Sequence, residues 1–148
     1  MDWITQHLEA EQRRDQKVER VARKIEEARE DIWRKLADEV RRGLQQLRDQ
    51  KPGCVEDGGL SRDQQIWQIR RLEFPPHQVT VELRGYSILI ECDFRVSAVA
   101  SHGDFETNVV DICCDKEEHV FLAIDGRRID LPRVAKKILL PIVTGEKT

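Results

Sequence analysis

What this chain has little of narrows its class before any motif is considered. No stretch approaches the roughly 18 consecutive apolar residues that a membrane-spanning helix requires. The opening residues, Met1-Asp2-Trp3-Ile4-Thr5, lack a basic segment followed by an apolar run, so no secretory signal is read there. Cysteine is sparse: Cys54, Cys92, Cys113 and Cys114. A chain of 148 residues can build a core without disulfides, and an adjacent pair does not readily bridge to itself. Free thiols in a reducing cytoplasm are the expectation, and the expected localisation is cytoplasmic. No Gly-x-Gly-x-x-Gly or Walker-type phosphate cradle occurs, and Asp57-Gly58-Gly59 lacks the Lys-Ser/Thr that would follow. No internal repeat and no low-complexity tract is present.

A dominant charge is missing as well. Met1 to Lys51 holds 13 Lys+Arg against 12 Asp+Glu, and Pro52 to Thr148 holds 12 against 16, so the segments carry +1 and −4. Neither attracts a polyanion by net charge, and neither a nucleic acid nor a membrane is expected as partner. Of the paired basic residues, Arg70-Arg71 is the most suggestive, because Trp67 and Phe74 beside it could stack on bases.

Proline is absent from residues 2 to 50, and Gly43 is the only glycine there. That stretch is rich in Glu, Arg, Lys, Gln, Leu and Ala, all good helix formers. An apolar line runs 18, 22, 25, 29, 32, 36, 40, 44, 47, broken only by Arg29. Its step is about 3.6 residues, the period of a straight amphipathic helix and not the 3.5 of a left-handed coiled coil. From Val18 to Leu47 this line is about 45 Å long. A globule built from the remaining residues would be roughly 35 Å across. The helix is therefore expected to overhang its own domain, with Trp3, Ile4 and Leu8 as a separate apolar tip.

Lys51-Pro52-Gly53 stops the helix, and Asp57-Gly58-Gly59 reads as a flexible joint. Ser61 with Gln64 matches a capping box, while residues 65–74 fit neither the helical nor the strand period. From Val79 onward the period becomes two. Strands are expected over Val79–Leu83, over Tyr86–Phe94 with Tyr86, Ile88, Ile90, Cys92 and Phe94 on one face, over Val96–Ala100, over Phe105–Cys114 and over His119–Ile124. His102-Gly103-Asp104 is read as a turn. Asp125-Gly126 is a strong hairpin signal leading into a closing strand. Pro132 opens a short helix capped by Asp130, and Pro141 is expected to end it.

The predicted fold is α+β: a long N-terminal amphipathic helix on an antiparallel β-sheet or partly open barrel of five to six strands, with a short C-terminal helix. Residues 1–51 form the helix, 52–76 a linker and ambiguous segment, and 77–148 the β domain.

Two functional classes remain. The leading expectation is a non-enzymatic interaction or assembly module that self-associates as a homodimer through Trp3, Leu8, Val18, Val21, Ile25 and Ile32, with no cofactor and no catalytic residue. The alternative is a β domain that binds a small ligand or metal, or is an enzyme, near Cys113, Cys114 and His119. Those residue types ligate zinc, but zinc sites usually show two tightly spaced pairs, and neighbours in a strand point to opposite faces. A nucleophilic thiol would need a histidine or a helix N-terminus beside it.

Overall fold

The computed structural model describes residues 2–94 and 104–145. The strand expected over Val96–Ala100 and the His102-Gly103 turn lie outside the described residues. The chain forms one long helix, a seven-stranded sheet and a short helix, an α+β fold.

Helix α1 spans Trp3–Gln50. Asp2 caps it, its Oδ1 accepting from the Ile4 N–H at 3.0 Å. At 1.5 Å per residue its 48 residues extend about 72 Å. Only the second half lies on the sheet, where Trp33, Leu36, Ala37, Val40 and Leu44 are buried.

The strands are β1 (Val55–Leu60), β2 (Ile66–Arg71), β3 (His77–Arg84), β4 (Ser87–Phe94), β5 (Asp104–Cys114), β6 (Val120–Ile124) and β7 (Arg127–Ile129). They form an antiparallel meander in chain order, and the sheet is open, since β1 and β7 are its two edges. Short connections permit only this kind of pairing. At the last hairpin both Asp125 and Gly126 have positive φ, +51° and +77°, which matches the twist of the flanking strands.

One face of the sheet is apolar. Ile69, Val79, Cys92 and, on neighbouring pairs, Val81 with Ile90 and Leu83 with Ile88 lie in register across β2, β3 and β4. Ile88 continues to Val110 on β5, and Ile112 to Leu122 on β6. Helix α2 (Leu131–Thr144) returns over this face beside α1, burying Val134, Ala135, Ile138, Pro141 and Ile142. The two helices approach so closely that a Cβ on Gly43 would lie 2.4 Å from Leu139 Cδ1. Two core-facing polar side chains secure the end of α2. Arg71 Nη1 donates to the carbonyls of Ile142 and Val143 at 2.8 and 3.0 Å, and His77 Nε2 lies 2.6 Å from the Gly145 carbonyl. A cation at that position also complements the helix dipole.

Several expectations are corrected. The sheet has seven strands, because segment 65–74, which fits neither period in the sequence, supplies β2, an inner strand, and the glycine-containing joint supplies β1. Ser61 opens no helix: its Oγ accepts from the Ile66 N–H at 3.1 Å inside the β1–β2 turn. Tyr86 does not face the core. It sits in the β3–β4 turn and is exposed. Pro141 does not end α2, which continues to Thr144 and closes on Gly145 in the left-handed conformation. Near a helix end the missing proline N–H costs one hydrogen bond, and burial of the ring offsets part of it.

Candidate functional site

Helix α1 is tied to three turns at one end of the sheet. Trp33 Nε1 donates to the Gln64 carbonyl at 2.7 Å in the β1–β2 turn. Arg29 Nε donates to the Gly85 carbonyl at 2.6 Å in the β3–β4 turn. Arg20 Nε and Nη2 lie 2.6 and 2.5 Å from Glu118 Oε1 in the β5–β6 turn, and Lys24 Nζ lies 3.2 Å from Oε2. Hydrogen bonds from Arg20 and then Lys24 hold the Glu118 carboxyl below the usual carboxylate range. From Trp33 to Arg20 is about 20 Å of helix, and three alternate turns of a sheet with strands 4.8 Å apart span about 19 Å. The helix and the sheet end match up to Arg20.

From Arg20 to Trp3 the helix continues about 25 Å further, and every residue from Asp2 to Arg20 is exposed. Trp3 is 72% exposed, Leu8 57% and Val18 67%. The six residues expected to mediate self-association therefore divide. Trp3, Leu8 and Val18 stand free with Ile4, whereas Val21, Ile25 and Ile32 are half-buried, the last two against the domain core. Within the overhang the carboxylates come first: Asp2, Glu9 and Glu11 precede Arg13, the first Lys or Arg, while residues 2–20 together carry five carboxylates and four Lys or Arg.

Cys113, Cys114 and His119 are not brought together. Cys113 pairs with Phe121 on the outer face of the sheet and Cys114 with Val120 on the inner face, as neighbours in a strand must. His119 projects from the turn, its side chain 76% exposed. Among the described residues the one group of donors close enough to share an ion is Asp115, Glu117 and His119, within 4.8 Å of one another. The turn itself accounts for that geometry. Asp115 Oδ1 accepts from the N–H groups of Glu117 and His119 at 3.0 and 2.9 Å, and Oδ2 pairs with Arg128 at 3.1 Å. For the two thiols whose titration is shifted, the described residues act against activation. Burial, aided by Asp111, raises the Cys113 thiol, and burial with Glu106 and Asp93 pushes Cys92 up to about 12. A nucleophile needs the opposite shift.

Of the four residues expected to form a base-stacking platform, Arg70 and Phe74 are exposed and Trp67 and Arg71 face inward. Trp67 is 2% exposed, its Nε1 donating to Asp57 Oδ1 at 2.5 Å, with Arg41 over its ring at 5.3 Å. Arg71 turns inward to α2.

A feature not foreseen from the sequence lies between the β6–β7 hairpin and α2. A groove of about 820 Å³ is rimmed by Arg127, Arg128, Arg133, Lys136 and Lys137, with Asp125 as its one carboxylate. Ile124, Ile129 and Leu140 form its apolar lining. Arg128 is engaged by Asp115 and Arg133 by Asp130, at 3.1 and 3.7 Å. Arg127, Lys136 and Lys137 make no ion pair among the described residues. The sequence signal was two basic pairs, 127–128 and 136–137, on either side of the reversal at Asp130. No family model, no curated protein and no solved structure matches this chain.

Proposed function

We propose that the chain is a non-enzymatic assembly module of the cytoplasm that forms a homodimer through the overhanging half of α1. The observation that carries this reading is the exposed tip. A helix anchored at three turns runs about 25 Å past the last of them and presents Trp3, Ile4, Leu8 and Val18 to solvent. Large aromatic and aliphatic residues in that setting are characteristic of interaction surfaces, and an identical chain is the partner always available.

The test is the mass in solution, by sedimentation equilibrium, of the chain and of a variant with Trp3→Ser, Leu8→Ser and Val18→Ser. These side chains make no core contact, so folding is retained. The parent is expected to be a dimer and the variant a monomer. Equal masses for the two would overturn the reading.

A further inference from the structure

We propose that the groove between the β6–β7 hairpin and α2 is the receptor for the first turns of α1 from a second copy of this chain. This inference rests on the assembly reading and names the surface that reading leaves open.

Charge complementarity selects the occupant. The groove has a basic rim of five side chains and one acid around an apolar lining. The tip has the converse character. Trp3, Ile4 and Leu8 are apolar, and three carboxylates, Asp2, Glu9 and Glu11, stand among residues 2–11 with no Lys or Arg. On a helix, positions 4, 8 and 11 lie on one line, so Glu11 continues the apolar edge formed by Ile4 and Leu8. That places a carboxylate where a groove cation would meet it. On a chain whose net charge is −3, a basic rim in which Arg127, Lys136 and Lys137 make no ion pair among the described residues calls for an anionic partner.

The tip does not fill its own groove: α1 is one continuous helix from Trp3 to Gln50, and every residue of it from Asp2 to Arg20 is exposed. The continuous helix carries the tip away from the domain. Two copies satisfy both surfaces by reciprocal exchange, each tip seated in the other's groove. That arrangement is isologous and closed.

The experiment is sedimentation velocity of the full chain at 0.15 M salt with complementary charge reversals. One variant carries Arg127→Glu and Lys136→Glu, both at exposed positions. The other carries Glu9→Lys and Glu11→Lys. Each alone is expected to weaken the dimer about tenfold or more, since like charges then face each other across the contact. An equimolar mixture, or one chain carrying all four changes, restores opposite charges at both contacts and is expected to restore the dimer. Circular dichroism melts confirm that each variant is folded. A groove variant that dimerises like the parent overturns the inference, while the Trp3, Leu8 and Val18 triple variant still judges helix-mediated assembly separately. Loss of the dimer without rescue on mixing would assign the groove to another anionic partner and would also overturn it.

Discussion

The two halves of α1 are one helix geometrically but should be two bodies energetically, and amide hydrogen exchange separates them. Between Trp3 and Arg20 no side chain is buried, so that half is held only by helix propagation from the packed half. Propagation near a factor of 1.1 per residue gives about 1 kcal/mol over the whole stretch. One i,i+4 ion pair, Glu9 with Arg13 at 3.8 Å, adds roughly 0.3–0.5 kcal/mol. Protection in the monomer should therefore be only about tenfold. In the second half Leu36, Val40 and Leu44 are 1%, 1% and 0% exposed. Opening there returns three such side chains to water at about 1.5–3 kcal/mol each, which sets protection of at least about a thousandfold. Exchange followed by mass spectrometry at a dilution where the chain is monomeric should show this step near residues 20–25. Raising the concentration until the dimer forms should lift protection of residues 3–11 selectively. Hundredfold protection of those residues in the monomer would refute the reasoning, because an unpacked helix would then be stable by itself.

Other consequences can be checked directly. Leu44→Ala removes a fully buried side chain where α1 meets the domain core and should cost about 2–5 kcal/mol in denaturant unfolding. Glu118 has its carboxyl lowered in the folded chain by Arg20 and Lys24. Its stabilising contribution is therefore complete above the ordinary carboxylate value of about 4.3 and is lost as pH falls through the lowered one. Exchange at residues 20–24 should accelerate over that acidic range, and Glu118→Gln should remove the pH dependence. The Cys92 thiol, pushed up to about 12, is only about one part in ten thousand thiolate at pH 8. Alkylation at that pH should leave Cys92 unmodified until the chain is unfolded, whereas half-buried Cys113 and Cys114 react first.

Helix α1 and the strands from β3 onward were legible because each keeps one period over several residues, 3.6 in the first case and two in the second. The failures have local causes. In β1 the run Asp57-Gly58-Gly59 looks like a joint, yet it is an irregular edge strand whose register shifts between Asp57 and Leu60. Gly58 is required there because a Cβ would lie 2.9 Å from the Gln68 carbonyl oxygen on β2. In β2 the inward series is Trp67, Ile69 and Arg71. The arginine spoils the apolar alternation because its partners are carbonyls of α2, 71 and 72 residues away. Pro141 was read by local rules that a buried position near a helix end overrides. The exposed tip could be foreseen from length alone. The basic groove could not, since Arg127-Arg128 and Lys136-Lys137 become one surface only after the chain reverses into α2.

The form of the assembly follows from comparing what one contact and two contacts contribute. Seating Trp3, Ile4 and Leu8 in a groove removes three large side chains from water, for about 4.5–9 kcal/mol in all if burial is complete. Association costs about 4–15 kcal/mol in lost rigid-body freedom. A single tip in a single groove, the repeating unit of an open filament, therefore sits near or below the threshold of binding. Reciprocal exchange doubles the favourable contribution while the rigid-body loss is incurred once. The closed dimer is favoured over the filament without any additional contact. The same comparison implies steep sensitivity. A change that disables one groove in a mixed dimer removes half the contact and returns the pair to the single-contact regime. One wild-type partner should therefore not rescue a groove-reversed chain, whereas a tip-reversed partner should.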